Sequence, residues 1–173
     1  MTTQVWFRKF LALYEKDKEI KRLIRSEKYN NEGLWTPAMM DLLRRMGESF
    51  GSEVSREKPV AGGGRSDQRW VKENGSVVYI EHENRCDDKI QGEIQKLCND
   101  VSKLKVLITY VADRNFNENV RQLNEKIEKA IHDCGATFSG EFLLVVCGNE
   151  ENKWEAHISV LKMETLQIKG GRI

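Results

Sequence analysis

Two glutamates close together near the middle of the chain are of a type and spacing suited to metal chemistry. Glu81 and Glu83 end an apolar run, 76–80, that predicts a β-strand. Alternate side chains of a strand lie on one face, so we expect both carboxylates to project together. Like charges repel and a buried carboxylate needs a partner, so a divalent cation would account for the pair. His82 projects to the other face, which predicts a packed or hydrogen-bonded role rather than a catalytic one.

A third acid is brought near by a predicted hairpin. Asp67 begins a second predicted strand, 67–72, which is followed by the dipeptide Asn74-Gly75. Asn-Gly is a strong signal for a tight turn between antiparallel strands. We therefore expect Asp67 to lie close to Glu81 once the two strands pair.

These acids also have simpler interpretations. Asp67 could be only a polar residue at the start of a strand. Glu81 and Glu83 could lie on an exposed strand end and pair with Arg85 or Lys72. The order of the three acids around one hairpin is what favours a metal site over these alternatives.

The remaining pattern predicts an α/β fold, with a central mixed β-sheet flanked by helices. A helix is expected from about Thr36, its N-cap, with Pro37 in the first position and Gly47 as the stop. A weak strand, the hairpin, a helix and a second buried strand follow, and the last two strands should be parallel. The predicted strands and helices after the first helix are 49–58, 67–72, 77–83, 90–101, 104–112, 117–134, 142–147 and an edge strand at 154–163.

The order αβββαβ, with an Asp on the second strand and Glu-x-Glu on the third, resembles the PD-(D/E)XK nuclease superfamily. The resemblance covers roughly residues 36–112 and implies a restriction-endonuclease-like core. It implies that Asp67 and Glu81 hold Mg²⁺, with Mn²⁺ as a substitute, and that Glu83 stands in the position usually filled by Lys. It further implies an accessory acid near the first core helix, for which Glu48 and then Glu53 are the candidates.

The site would also need positive charge for a phosphate, because Glu83 lacks the charge of a Lys. Arg65, Arg69 and Lys72 are the predicted nucleic-acid-binding residues. The glycine run 62–64 lacks the strand-to-helix context of a P-loop, so it predicts a flexible loop that could touch a backbone.

The sequence lacks the features of a membrane-spanning protein and of a cysteine-based zinc site. The net charge is +1, and no stretch approaches the roughly 20 apolar residues of a membrane helix. The four cysteines form no C-x-x-C pair, so buried thiols are expected rather than a zinc site. The start of the chain does not read as a signal peptide, which predicts a cytoplasmic protein.

The residues and the resemblance together predict a Mg²⁺-dependent nuclease acting on DNA, such as an endonuclease, with RNA and the choice between endo- and exonuclease action left open. Three segments are expected, namely an N-terminal helical arm at 1–33, the nuclease-like domain at 34–165 and a tail at 166–173. A homodimer would suit cleavage of both strands of a duplex. Two alternatives stay open: an inactive member of the same fold that binds nucleic acid or protein, and an interaction domain with incidental acids.

Overall fold

The structure is a computed structural model that describes residues 2–25, 32–59, 65–75, 77–83, 90–111, 113–134, 138–148, 154–159 and 166–169. The helices are α1 (Thr3–Lys16), α2 (Lys18–Arg25), α3 (Glu32–Ser49), α4 (Ile90–Asn99) and α5 (Phe116–Cys134), and a short 3-10 turn covers Asp113–Asn115. The strands are β1 (Glu53–Pro59), β2 (Arg65–Val71), β3 (Val77–Glu83), β4 (Leu104–Val111), β5 (Glu141–Gly148), β6 (Trp154–Ser159) and β7 (Leu166–Lys169). None of the helices in these ranges is long and apolar enough to cross a bilayer.

The strands form one mixed sheet in which the order in space follows the order in sequence. Among the described residues it has seven strands, β1 to β7. β1, β2 and β3 are antiparallel, β3, β4 and β5 are parallel, and β5, β6 and β7 are again antiparallel. The parallel steps are crossed by α4 and α5, as parallel pairs require. The predicted fold class, a mixed sheet flanked by helices, is confirmed, whereas membership of the nuclease superfamily stays a prediction.

The hairpin before the acidic pair forms as expected. Strand β3 covers Val77–Glu83, the range predicted from the sequence. Gly75 has φ of +75°, a conformation that glycine adopts without steric cost, and its amide donates to the Lys72 carbonyl at 2.8 Å. The turn sets the register in which Gln68 lies opposite Ile80. That register places Asp67 beside Glu81.

The sheet separates two hydrophobic layers. Alternate residues of β3 and β4 face α1 and α3 on one side, where Trp6 and Trp70 are fully buried and stack with ring centroids 6.0 Å apart. The intervening residues, including Tyr79 and Leu107, face α4 and α5. The segment predicted as an N-terminal arm thus contributes α1 to the same core as the sheet, and the predicted tail contains β7. The three domain boundaries stay predictions.

The predicted start and stop of the first core helix are wrong. α3 begins at Glu32, so Thr36 is not its N-cap and Pro37 lies inside the helix. The helix continues through Gly47 to Ser49. A Cβ on Gly47 would meet Val54 Cγ2 at 2.6 Å and the Trp70 ring at 2.8 Å. Gly47 therefore serves close packing of α3 against the sheet rather than helix termination.

One further prediction concerns the strand that begins at Trp154, and one further observation concerns the N-terminal helical arm. The strand that begins at Trp154 was expected at the sheet edge, but β6 pairs with both β5 and β7 and is not an edge strand. The N-terminal helical stretch is divided in two, because Asp17 ends α1 and its Oδ1 accepts from the Ile20 amide of α2 at 3.1 Å. A side chain that accepts from an amide three residues ahead is a typical N-cap contact.

Candidate functional site

Asp67 and Glu81 are held side by side by backbone hydrogen bonds at the point where the β2–β3 ladder ends. The Cα register of the two strands runs from Val71 opposite Val77 to Gln68 opposite Ile80. At the next position the His82 amide donates to Asp67 Oδ2 at 2.8 Å, and the Asp67 amide donates to Glu81 Oε2 at 3.3 Å. Side-chain carboxylates thus accept the hydrogen bonds that backbone carbonyls accept elsewhere in the ladder. Each acid is held by a backbone amide of the opposite strand.

A lysine from the crossover helix completes this group. Lys96 Nζ lies 2.9 Å from Glu81 Oε1 and 2.5 Å from Glu93 Oε2, and Glu93 is also on α4. The Glu81 side chain is only 3% exposed and that of Lys96 only 17% exposed, so the contact is sheltered from water. Charges in such surroundings are screened much less than charges on the surface. We call Asp67, Glu81, Glu93 and Lys96 the acidic–lysine cluster.

Burial controls the protonation of the two strand carboxylates. Burial raises the pKa of Glu81 to about 8, against the hydrogen bond from Lys96, and the nearby Asp67 charge raises it further. Burial also raises the pKa of Asp67, although the His82 amide and Lys96 oppose this. Burial disfavours the charged form of Lys96, but hydrogen bonds to Glu93 and Glu81 prevail and raise its pKa. The lysine therefore stays charged, while the Asp67–Glu81 pair retains a proton more readily than isolated carboxylates do.

The donor set of this pair fits a hard divalent cation. Asp67 and Glu81 each have a second oxygen besides the one that accepts from the backbone, and that of Glu81, Oε1, also contacts Lys96 Nζ. Mg²⁺ is commonly bound through one or two carboxylates, with water or substrate oxygen completing its shell. Within the described ranges, no set of three or more His, Cys, Asp or Glu side chains is arranged to hold a metal. Any cation here would therefore rest on two carboxylates.

Glu83 lies on the same face of β3 as Glu81, one pleat further along. It is partly exposed, and its Cα is opposite Thr109 of β4. This position is the last residue of β3. The role predicted for Glu83, orienting or deprotonating a water or helping to bind a second metal, stays a prediction.

The two predicted accessory acids lie elsewhere. Glu48 is half-exposed at the end of α3, where both of its oxygens accept from Arg44 Nη1 at 2.7 and 2.8 Å. Glu53 is exposed on β1 opposite Val71. Val71 is four residues from Asp67 along β2, about 14 Å at the usual rise per residue. The structure therefore does not bring Glu48 or Glu53 to the acidic–lysine cluster.

The predicted nucleic-acid-binding residues are spread along β2. Arg69 is partly buried on the same face as Asp67, two residues further on. Lys72 lies past the strand's other end, with its Nζ 5.8 Å from the centre of the Phe50 ring. The Arg65 backbone belongs to β2, but its side chain is outside the described part. Of the two predicted cations whose side chains the structure describes, Arg69 is the one that shares the strand face of the acids.

Sequence reasoning missed Lys96 and Glu93. The only available signal was positional: both lie at the margin of the apolar stripe of α4, which Ile90, Ile94 and Leu97 bury against the sheet. A helix that crosses from β3 to β4 must pass over β3. Polar residues at the margin of its buried face are therefore candidates to contact side chains of that strand.

His82 is packed on the opposite face, as predicted. Its Nε2 hydrogen-bonds with Tyr110 Oη at 2.9 Å, and the two rings meet edge to face with centroids 5.5 Å apart. Burial lowers the pKa of His82 to about 3, so its ring is neutral at physiological pH. Its backbone amide, not its ring, contributes to the acidic site.

No family model and no curated protein matches this chain. A solved structure similar to part of it is the central domain of yeast acetyl-CoA carboxylase, with 9% sequence identity and a TM-score of 0.27. That similarity covers 73% of this chain and 25% of the carboxylase domain chain. At this TM-score the similarity supports no conclusion about fold or function.

Proposed function

We propose that this protein hydrolyses phosphodiester bonds in DNA in a Mg²⁺-dependent reaction at the acidic–lysine cluster. The observation that carries the proposal is the convergence of Asp67, Glu81 and Lys96 where β2 and β3 part. This arrangement brings two carboxylates, which are hard-oxygen donors, next to one positive charge in a largely buried position. That combination suits a reaction in which charge develops on a phosphate.

Asp67 would hold the cation through the oxygen that does not accept from the backbone, and Glu81 through Oε1, which the cation would share with Lys96. When bound, Mg²⁺ would stabilise negative charge on the phosphate oxygens and acidify bound water. The backbone amides of Asp67 and His82 keep the two carboxylates in place before any ligand arrives. This preorganisation reduces the cost of assembling a site for a small, demanding cation.

Lys96 would supply the positive charge that Glu83 cannot. Its Nζ contacts Glu81 directly, and it stays charged because Glu93 and Glu81 raise its pKa. A fixed ammonium beside the carboxylates could bind a non-bridging phosphate oxygen. Glu83, the partly exposed last residue of β3, would orient or deprotonate the attacking water. Arg69 would contact the nucleic-acid backbone.

A cleavage assay with matched variants tests this proposal. The wild type is assayed on single- and double-stranded DNA and RNA, with Mg²⁺, Mn²⁺ and excess chelator. Glu81→Gln and Lys96→Met should each reduce cleavage by at least about 100-fold, since each removes one electrostatic contribution. Lys96→Arg, which keeps the positive charge, should cleave faster than Lys96→Met but more slowly than the wild type.

Glu125→Gln and Lys129→Met serve as matched controls, because both residues lie on the exposed side of α5 in surface ion pairs. They should retain wild-type cleavage. Cleavage that survives Glu81→Gln would contradict the assigned site. Absence of cleavage on every substrate, with circular dichroism showing a folded protein, would refute the nuclease proposal.

The inactive-fold alternative has its own support in the geometry. The hydrogen bonds that the backbone amides donate to Asp67 and Glu81 also stabilise the fold, because they satisfy backbone donors where the strand ladder ends. A protein that fails to cleave but binds DNA with a steep salt dependence would fit that alternative. The choice of DNA over RNA, endonuclease action, a homodimer and the cytoplasmic location all stay predictions.

A further inference from the structure

Two cysteines on neighbouring helices meet on the side of the sheet that carries α4 and α5. Cys98 lies near the end of α4 and Cys134 is the last residue of α5. Both belong to the same hydrophobic layer, Cys98 within it and Cys134 packed against it. Cys134 lies near enough to Cys98 to contribute to the raised pKa of the Cys98 thiol. Neither is disulfide-bonded in this structure.

The contacts of Cys134 locate it against the turn of α4 that carries Cys98. Its thiol donates to Asn99 Oδ1 at 3.3 Å, and its sulfur accepts from Gln95 Nε2 at 3.5 Å. Gln95 and Asn99 flank Cys98, three residues before it and one after it. The Cys134 sulfur therefore lies against the last turn of α4, the turn to which Cys98 belongs.

The two sulfurs differ in accessibility. Cys98 is fully buried, whereas Cys134 is partly exposed at the end of its helix. Burial, followed by the neighbouring Cys134, raises the pKa of Cys98 to about 12. Cys98 therefore keeps its proton at neutral pH and is shielded from reagents. Cys134 is the sulfur that a small oxidant can reach first.

We propose that Cys134 and Cys98 form an oxidation site, in which a peroxide oxidises Cys134 and Cys98 resolves the product as an intramolecular disulfide. In the first step the Cys134 sulfur takes one peroxide oxygen and becomes a sulfenic acid, and the peroxide is reduced to water or an alcohol. In the second step the Cys98 sulfur displaces the sulfenic hydroxyl. The S–S bond forms, and the hydroxyl leaves with the Cys98 proton as water.

The disulfide would tie α4 to α5. It would close the chain between positions 98 and 134, a loop of intermediate length among those that disulfides stabilise. We expect the oxidised protein to melt roughly 5–10 °C above the reduced protein. This inference does not depend on the proposed nuclease activity.

The test uses the full chain, reduced and then treated with stoichiometric hydrogen peroxide, alkylated and mapped by mass spectrometry without reduction. A peptide pair joining Cys98 to Cys134 is expected, with loss of two alkylatable thiols. Cys98→Ala should leave a sulfenic acid on Cys134 that dimedone traps. Cys134→Ser should abolish both products.

Cys147→Ser is the matched control, because Cys147 is buried in the other hydrophobic layer, across the sheet. It should retain the Cys98–Cys134 link. A link that forms only in urea-unfolded protein would overturn the inference, since the folded arrangement would then not be responsible. Overoxidation of Cys134 without a link, or a link from Cys134 to another cysteine, would also overturn it.

Discussion

Lys96 Nζ lies 2.9 Å from Glu81 Oε1 and so joins the crossover helix α4 to the carboxyl end of strand β3. The contact places a charged amine beside two carboxylates whose pKa values burial raises. One positive charge does not fully compensate the buried acids of the cluster. The site is therefore built to gain from additional positive charge, and this has consequences that can be measured.

Cation binding should release protons. Because the pKa of Glu81 is raised to about 8 and that of Asp67 is also raised, a cation must displace a proton near neutral pH. We expect Mn²⁺ affinity to increase as pH rises toward 8 and to level off above it. Calorimetry in two buffers of different ionisation enthalpy measures the released proton. Glu81→Gln should remove both the affinity and the release, and pH-independent binding would contradict this prediction.

The metal-free protein should lose stability as pH rises. The pKa of Glu81 is raised from 4.5 to about 8 in the folded state, so the folded protein binds more protons between these values. Its stabilising contribution is complete below the unfolded pKa and is lost as pH increases through 8. Glu81→Gln should remove this slope and, above pH 8, stabilise the protein by on the order of 1–3 kcal/mol. Urea unfolding in the presence of chelator at several pH values measures this. If the unfolding free energies of wild type and Glu81→Gln changed with pH in the same way, the prediction would be wrong.

His82 should produce the opposite dependence in acid. Burial lowers its pKa from 6.5 to about 3, so the unfolded chain binds the extra proton. Stability is therefore present above pH 6.5 and is lost as pH falls toward 3. The difference in unfolding free energy between wild type and His82→Phe should shrink on acidification, by on the order of 1–3 kcal/mol between pH 6.5 and 4.5. A constant difference would show that the ring does not titrate as this structure requires.

Gly47 should not tolerate a methyl group. A Cβ there would meet Val54 at 2.6 Å and Trp70 at 2.8 Å; Trp70 is fully buried in the core, and Val54 is partly buried against it. We expect Gly47→Ala to destabilise the protein by about 1–3 kcal/mol through overpacking. Gly92→Ala is the matched control in α4, where a Cβ meets none of the described residues within 4 Å, and it should stabilise by about 0.5–1 kcal/mol. Equal effects of the two substitutions in urea unfolding would argue against the described packing of α3.

Local pattern alone was enough to predict the hairpin and the acids that it brings together. The limits of β3 follow from side chains that alternate with a period of two. The turn follows from the Asn74-Gly75 dipeptide, and the parallel pairing of β3 with β4 follows from the helical crossover between them. Each depends on neighbours in sequence or on a general chain constraint. The juxtaposition of Asp67 and Glu81 is therefore encoded in the local sequence.

Helix limits and long-range partners needed the tertiary structure. Gly47 reads as a helix stop, yet it is retained within α3 because Trp70 leaves no room for a side chain. Glu48 was a plausible accessory acid by order along the chain, but it pairs with Arg44 and faces solvent. In both cases a contact between distant segments outweighed the local signal.

The sequence by itself determined the mixed α/β fold and the pairing of Asp67 with Glu81, because strand alternation and turn chemistry are encoded locally. Only the tertiary structure decided which cation joins them. Lys96 is one of many basic residues, and its contact with Glu81 depends on how α4 rotates about its axis and docks over β3. That rotation is set by the burial of Ile90, Ile94 and Leu97 against the sheet, a packing result that spacing alone does not give.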